Sequence, residues 1–139
     1  MAELSMHHVG IVVSDLEEAV SFYGDVLGLS VAEEFTLSGD GIATAIGADE
    51  ITGEFVHLEG HGALVELIEY DAVHGNGGSD VINAHGAKHV GFAVEDLDDF
   101  YEGLPDDVET GSPPQEIELG TSILFFRDPD GNFVEIVEA

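Results

Sequence analysis

The chain has 139 residues, 44% of them hydrophobic, with thirty acidic residues against two basic ones and a formal net charge of −28. That length fits one domain able to bury most of a core. No apolar run reaches the ~18 residues of a membrane-spanning helix, and the lack of cysteine excludes disulfides and thiolate metal ligands.

Repulsion argues against a nucleic acid or an anionic membrane as partner. The hydrophobicity is too high, and its patterning too regular, for a disordered acidic chain. A carboxylate-coated fold is the form expected in molar salt, where the Debye length falls to ~3 Å and like charges are screened. A halophilic source is therefore expected. MAELSMHHVG shows neither a basic flank nor an apolar signal core, so a cytoplasmic location is the default.

From His8 to Val13 the residues are mostly β-branched, which predicts a strand. Ser14 and Glu17 form a capping-box pattern. Leu16, Ala19, Val20, Tyr23, Val26 and Leu27 then recur at helical spacing, with Gly28 suited to the C-terminal cap. Strands are expected at 29–37, 41–47, 53–59 and 63–70, separated by SGDG, GADE and EGHG.

The Gly- and Asn-rich segment 71–87 reads as a linker, with one short helical turn near 79–84. The pattern then restarts with a strand at 88–94. A shorter helix carries Leu97, Phe100, Tyr101 and Leu104 and stops at Pro105. Short strands near 107–110 and 115–118 precede a stronger one at 121–127, and DPDG joins this as a hairpin to 132–138. The expectation is one domain, 1–139, made of modules 1–70 and 88–139, each reading strand, helix, then three strands. Either module alone leaves a sheet face uncovered.

The two halves echo one another. Aligning HVGIVVSDL from His8 on HVGFAVEDL from His89 keeps six of nine positions, and LVELIE at 64–69 returns as FVEIVE at 133–138. His8 and His89 thereby correspond, as do Glu66 and Glu135. Alternation places His8 with Gly10 and Val12, and His89 with Gly91 and Ala93, so the histidine faces are stripped of bulk. Glu66 and Glu135 are flanked by apolar residues, where an ionised carboxylate without a partner costs several kcal/mol. Two basic residues cannot serve thirty acidic ones, and a divalent cation resolves the cost more economically.

Two imidazoles and two carboxylates suit Zn²⁺, Ni²⁺, Co²⁺, Mn²⁺ or Fe²⁺. An octahedral shell would keep two adjacent positions for water or a bidentate substrate. The ion could polarise a carbonyl and stabilise an enolate while a loosely held glutamate acts as base. The competing reading is plain: a strand-entry histidine is usually structural, and a strand glutamate usually faces solvent. Recurrence of all four residues in register favours the metal site.

HVGIVVSDLEEAVSFYGDVLGL, VELIEY, HVGFAVEDL and FFRDPDGNFVEIVE together resemble the vicinal oxygen chelate superfamily, which includes glyoxalase I, methylmalonyl-CoA epimerase, extradiol dioxygenases and bleomycin-resistance proteins. The resemblance spans essentially the whole chain. It implies an α+β fold of two βαβββ modules forming a cupped mixed sheet around a metal. It places His8, Glu66, His89 and Glu135 at metal-ligand positions, with Glu135 the first candidate for catalytic base and Glu66 its counterpart. A glutamate at 66 is closest to glyoxalase I and the epimerases. The implied function is a divalent-metal-dependent lyase or isomerase that moves a proton on a small carbonyl substrate through a metal-bound enolate, in a homodimer. The alternatives are a metal-free ligand-sequestering protein of bleomycin-resistance type and an extradiol ring-cleaving dioxygenase.

Departures from the family pattern bear on the substrate. Val12 stands where bacterial-type glyoxalase I carries an arginine for glutathione, and only Lys88 and Arg127 could hold an anionic handle. Asp40, in LSGDGI, lies nearest to the second acidic base of the epimerases. His57 shares a strand face with Phe55 and Glu59 and could line the pocket. His61 and His74 sit in glycine-rich loops, and His85 has no counterpart. Arg127 is expected to pair with nearby aspartates. Phe125 and Phe133 are expected chiefly in packing, and EDLDD and PDDVE as solvated faces.

Overall fold

The β-branched run after His8 forms strand β1 (His8–Val12), and helix α1 (Leu16–Asp25) follows it. The computed structural model of the protein describes residues 3–75, 77 and 80–139. Two compact units emerge, Met1–Gly75 and Asn76–Ala139. After α1 the first unit continues with β2 (Val31–Ser38), α2 (Asp40–Ile46), β3 (Thr52–Glu59) and β4 (Leu64–Tyr70). The second holds β5 (His89–Ala93), α3 (Leu97–Glu102), β6 (Gln115–Glu118), β7 (Thr121–Arg127) and β8 (Phe133–Glu138).

Each unit is a four-stranded mixed sheet, ordered β1-β4-β3-β2 and β5-β8-β7-β6. In both, the first strand runs parallel to the last, and the others pair antiparallel. The α+β expectation of two βαβββ modules holds. Among the described residues no helix is long and apolar enough to cross a membrane.

Alternation along the strands decides which side of each sheet forms the core. Val65 and Leu67 on β4, with Val56 and Leu58 on β3, are buried on the side that also carries Glu69, whose carboxylate reaches the start of α1. The helix adds buried Ala19 and Tyr23. In the second unit Val134 and Ile136 on β8, with Leu124 and Phe126 on β7, are buried, as is Leu97 of α3. Even-numbered β4 residues and odd-numbered β8 residues occupy the opposite faces, where the candidate site residues stand.

Four local expectations are corrected. The helix caps are Asp15 and Asp96, each accepting from the backbone N–H three residues on at 3.0 Å; Ser14 is not the cap. Residues 41–47 do not form a strand. Alanine-rich DGIATAI is instead helix α2, with Ala43 buried and Gly47 taking the left-handed cap conformation at φ 77°. Of the helical turn expected near 79–84, residue 79 lies outside the described residues, and 81–84 close only a turn, Ala84 N–H donating to Val81 O at 3.3 Å. Instead of a strand at 107–110 there is a single bridge, Thr110 to Phe126.

The DPDG hairpin is built on Asp128, which is 5% exposed. Its carboxylate accepts from the backbone of Asp130 and Asn132 and from the Asn132 side chain, each at 2.9 Å. Gly131 turns the chain at φ 84°. This holds the β7–β8 register that carries Glu135.

Candidate functional site

In the first unit, three strands meet at Glu66. Its neighbour across the parallel β1–β4 pair is Gly10, and across the antiparallel β3–β4 pair it is His57. His8 stands two residues before Gly10 on the same face, with Nε2 3.5 Å from Glu66 Oε1. His57 Nε2 is 2.6 Å from Glu66 Oε2 and, facing a carboxylate, is the donor. The Glu66 side chain is 12% exposed and that of His57 9%, whereas His8 is 39% exposed. On its other side His8 meets His7, Nδ1 to Nδ1 at 2.8 Å, which leaves the His8 Nε2 edge toward Glu66.

The second unit repeats the pair. Gly91 is the parallel neighbour of Glu135, and His89 Nε2 lies 2.9 Å from Glu135 Oε1. Exposure repeats as well, at 39% for His89 and 18% for Glu135. The third strand differs, because the residue opposite Glu135 is Phe125. Its ring packs edge-on against His89, with centroids 5.3 Å apart.

These separations test whether a metal suits the donors. Two donors each ~2.1 Å from one ion lie ~3.0 Å apart when adjacent in an octahedron and ~3.4 Å apart in a tetrahedron. The His89–Glu135 and His8–Glu66 distances, 2.9 and 3.5 Å, fall at those edges. The His57–Glu66 distance of 2.6 Å is shorter than either and is that of a strong hydrogen bond. Beside each carboxylate a glycine leaves a methyl-sized cradle. A Cβ on Gly10 would lie 3.9 Å from Glu66 Oε1, and one on Gly91 4.0 Å from Glu135 Oε1. Each unit thus offers one imidazole and one carboxylate at chelating distance. Among the described residues no group of three or more His, Cys, Asp or Glu side chains forms a ready metal cluster.

Residues 5–136 match the family model of the glyoxalase/bleomycin resistance protein/dioxygenase superfamily. The chain belongs to that superfamily. It is 27% identical over 135 residues, 94% of this chain and 92% of the relative, to a probable lactoylglutathione lyase of Synechocystis sp.. A glyoxalase family protein from Bacillus cereus superposes with a TM-score of 0.88 at 22% identity, covering 99% of this chain and 95% of that one. The trypanothione-dependent glyoxalase I of Leishmania major gives 0.67 at 24% identity over 98% and 87% of the two chains. At these identities the superpositions bear on the fold.

The glutamates were expected to need a cation because the chain has so few basic residues, yet histidines partner both: His57 and His8 for Glu66, His89 for Glu135. His57, whose strand face could line the pocket, meets Glu66 directly. Hairpin arithmetic held the signal. A turn centred on Gly60–Ala63 pairs Glu59 with Leu64, and therefore His57 with Glu66. His7 carried no such signal, because its partner is its own neighbour.

The remaining residues, Phe125 excepted, stand apart from the paired donors. Asp40 is the first residue of α2, and His61, His74 and His85 are exposed. Arg127 does reach Asp80, but through the main chain: it donates to the Asp80 carbonyl at 2.8 Å and the Gly131 carbonyl at 3.0 Å, and lies 4.0 Å over the Phe133 ring. Lys88 turns back to the Gly86 carbonyl at 2.9 Å. Phe125 and Phe133 are half-buried and lie against His89 and Arg127 respectively. Tyr70 shares the β4 face of Glu66, and burial first, then the Glu66 charge, pushes its phenol above the usual range.

Proposed function

We propose that the protein is a divalent-metal-dependent lyase or isomerase of glyoxalase or epimerase type, moving a proton on the carbon beside the carbonyl of a small substrate. The observation that carries this reading is the doubled pair of imidazole and carboxylate at chelating distance, each beside a glycine cradle. His8, Glu66, His89 and Glu135 are the ligands for one ion of the Zn²⁺, Ni²⁺, Co²⁺, Mn²⁺ or Fe²⁺ group. When bound, such an ion polarises the substrate carbonyl and acidifies the adjacent C–H.

The chain's own residues do the rest. His8 and His89 present Nε2. The carboxylates are mostly shielded from water, Glu66 facing His8 and Glu135 facing His89, and Glu135 takes and returns the proton. The similarity to a probable lactoylglutathione lyase of Synechocystis supports the reaction type. A multiply anionic thiol conjugate is a poor fit, since Lys88 and Arg127 both donate to main-chain carbonyls.

A second reading, a metal-free binding protein of bleomycin-resistance type, draws on one observation: the histidines already partner both glutamates. Metal analysis separates the two. About one equivalent of divalent ion per chain, lost in His8→Ala and His89→Ala, is expected. Zn²⁺-loaded protein should also exchange the carbonyl-adjacent protons of hydroxyacetone with D₂O, and Glu135→Gln should abolish this. Metal-free protein that takes up no added Zn²⁺ would sink the enzyme reading.

A further inference from the structure

One of the differences between the two repeats touches a carboxylate. Opposite Glu66 on the neighbouring strand stands His57, and opposite Glu135 stands Phe125. His57 is 7% exposed. Its ring is held edge-on by Phe35, with centroids 5.0 Å apart, and lies nearly parallel to His8 at 6.1 Å. So clamped, its Nε2 points at Glu66 Oε2 from 2.6 Å. Phe125 has no N–H or O–H to donate, so among the described residues Glu135 keeps only the His89 bond, on Oε1.

We infer that His57 is a positioning residue that fixes Glu66 as the standing carboxylate of the site, while Phe125 leaves Glu135 free to move. A carboxylate ligand works through one oxygen while the other is steered by neighbouring donors. With Oε2 tied to a buried ring, Glu66 has lost its rotamer freedom before any ion arrives, so binding need not order it. Glu135 has no such tether. A base must leave its resting contact to reach a proton, and the untethered carboxylate is the one that can. His7 acts in the same direction by holding His8, whereas its counterpart Lys88 turns away to Gly86. The two pairs are alike in donor type and unlike in stiffness, and that difference assigns their roles.

This inference rests on Glu66 being a metal ligand, and Co²⁺ titration of the full-length protein tests the two separately. Visible absorption reports affinity and ligand geometry without any substrate. His57→Phe, which copies the side chain found opposite Glu135, is expected to weaken Co²⁺ about 10- to 100-fold, the usual range for lost support of a ligand, and to change the absorption envelope. His57→Gln keeps an N–H donor and should recover most of that loss. Glu66→Gln should weaken Co²⁺ more than Glu135→Gln does. In the Glu66→Gln background, His57→Phe should cost nothing further, because His57 acts only through Glu66. If His57→Phe does not fold by thermal melting, His57→Gln and His57→Ala in both backgrounds carry the same comparison. Additive losses, or His57 variants that bind Co²⁺ like the unmodified protein while Glu66→Gln does not, would overturn the positioning role alone. Unchanged Co²⁺ binding in Glu66→Gln would overturn the ligand assignment and this inference with it.

Discussion

Glu138 closes the N-terminus of α3, its Oε1 accepting from the Leu97 backbone amide at 2.7 Å. Glu69 does the same for α1, accepting from Leu16 at 2.8 Å. First-turn amides have no partner inside their helix, and each helix here is served by a capping aspartate and by a carboxylate from the last strand of its sheet. Both glutamates therefore staple a helix to a sheet as well as capping it. Glu138→Ala and Glu69→Ala are each expected to cost about 0.5–2 kcal/mol, as lost caps do, with Gln costing less. Urea unfolding measures this, and unchanged midpoints for both alanine variants would remove the role.

That pair of staples also shows how far repetition could be read. Glu69 and Glu138 recur as faithfully as Glu66 and Glu135, inside the same LVELIE and FVEIVE. Only the alternation of strand side chains tells them apart, because residues three apart on a strand face opposite ways. One pair points at the helix and the other at the histidines. The sheets, helices α1 and α3, and the strand faces that carry His8, Glu66, His89 and Glu135 follow from local pattern and were legible. Helix α2 was not, since its alternating Ile and Ala residues imitate a strand until the glycines at both ends are seen to turn the chain. His57 was half legible: its face was clear, but the residue it would meet depended on the register of the hairpin. The compensation of both glutamates by histidine was not legible at all, because it depends on distances that residue identities do not contain.

Gly53 is kept small by an aromatic cluster. A Cβ there would lie 2.7 Å from Phe55 Cε1 and 3.1 Å from the Tyr70 ring. Phe55 stacks on Phe35 at 5.1 Å and meets Tyr70 edge-on at 6.1 Å, so its ring has little room to yield. Gly53→Ala is expected to cost about 1–3 kcal/mol, the usual range for overpacking. Since Phe35 also clamps His57, the variant should bind Co²⁺ more weakly as well. A stability equal to that of the unmodified protein would show that the cluster can relax.

Tyr70 should ionise above the ordinary phenol range in the folded state. Burial is the larger cause of its raised pKa and the Glu66 charge the smaller, so Glu66→Gln should lower the value only part of the way. The folded state holds this proton more tightly than the unfolded chain does. The stability involved is thus complete below the ordinary phenol range near ~10 and is lost as pH rises through the folded value. Ring-labelled tyrosine NMR, assigned with Tyr70→Phe, reads the shift directly. A Tyr70 titration that coincides with that of free tyrosine would contradict the packing described for it.

The charge balance gives a prediction for the whole chain. A net charge of −28 rests on 139 residues, and both basic side chains donate to main-chain carbonyls. Repulsion between carboxylates acts over ~10 Å in 0.1 M salt but only ~3 Å in 1 M. The melting temperature should therefore rise as KCl is increased into the molar range. Salt also strengthens apolar burial, so the rise alone does not identify its cause. Neutralising the exposed cluster Asp106, Asp107 and Glu109 to Asn, Asn and Gln separates the two effects. If repulsion is responsible, that variant melts higher than the unmodified protein in dilute buffer and gains less from added KCl. If apolar burial is responsible, the two proteins gain equally, because the substitutions leave the core untouched.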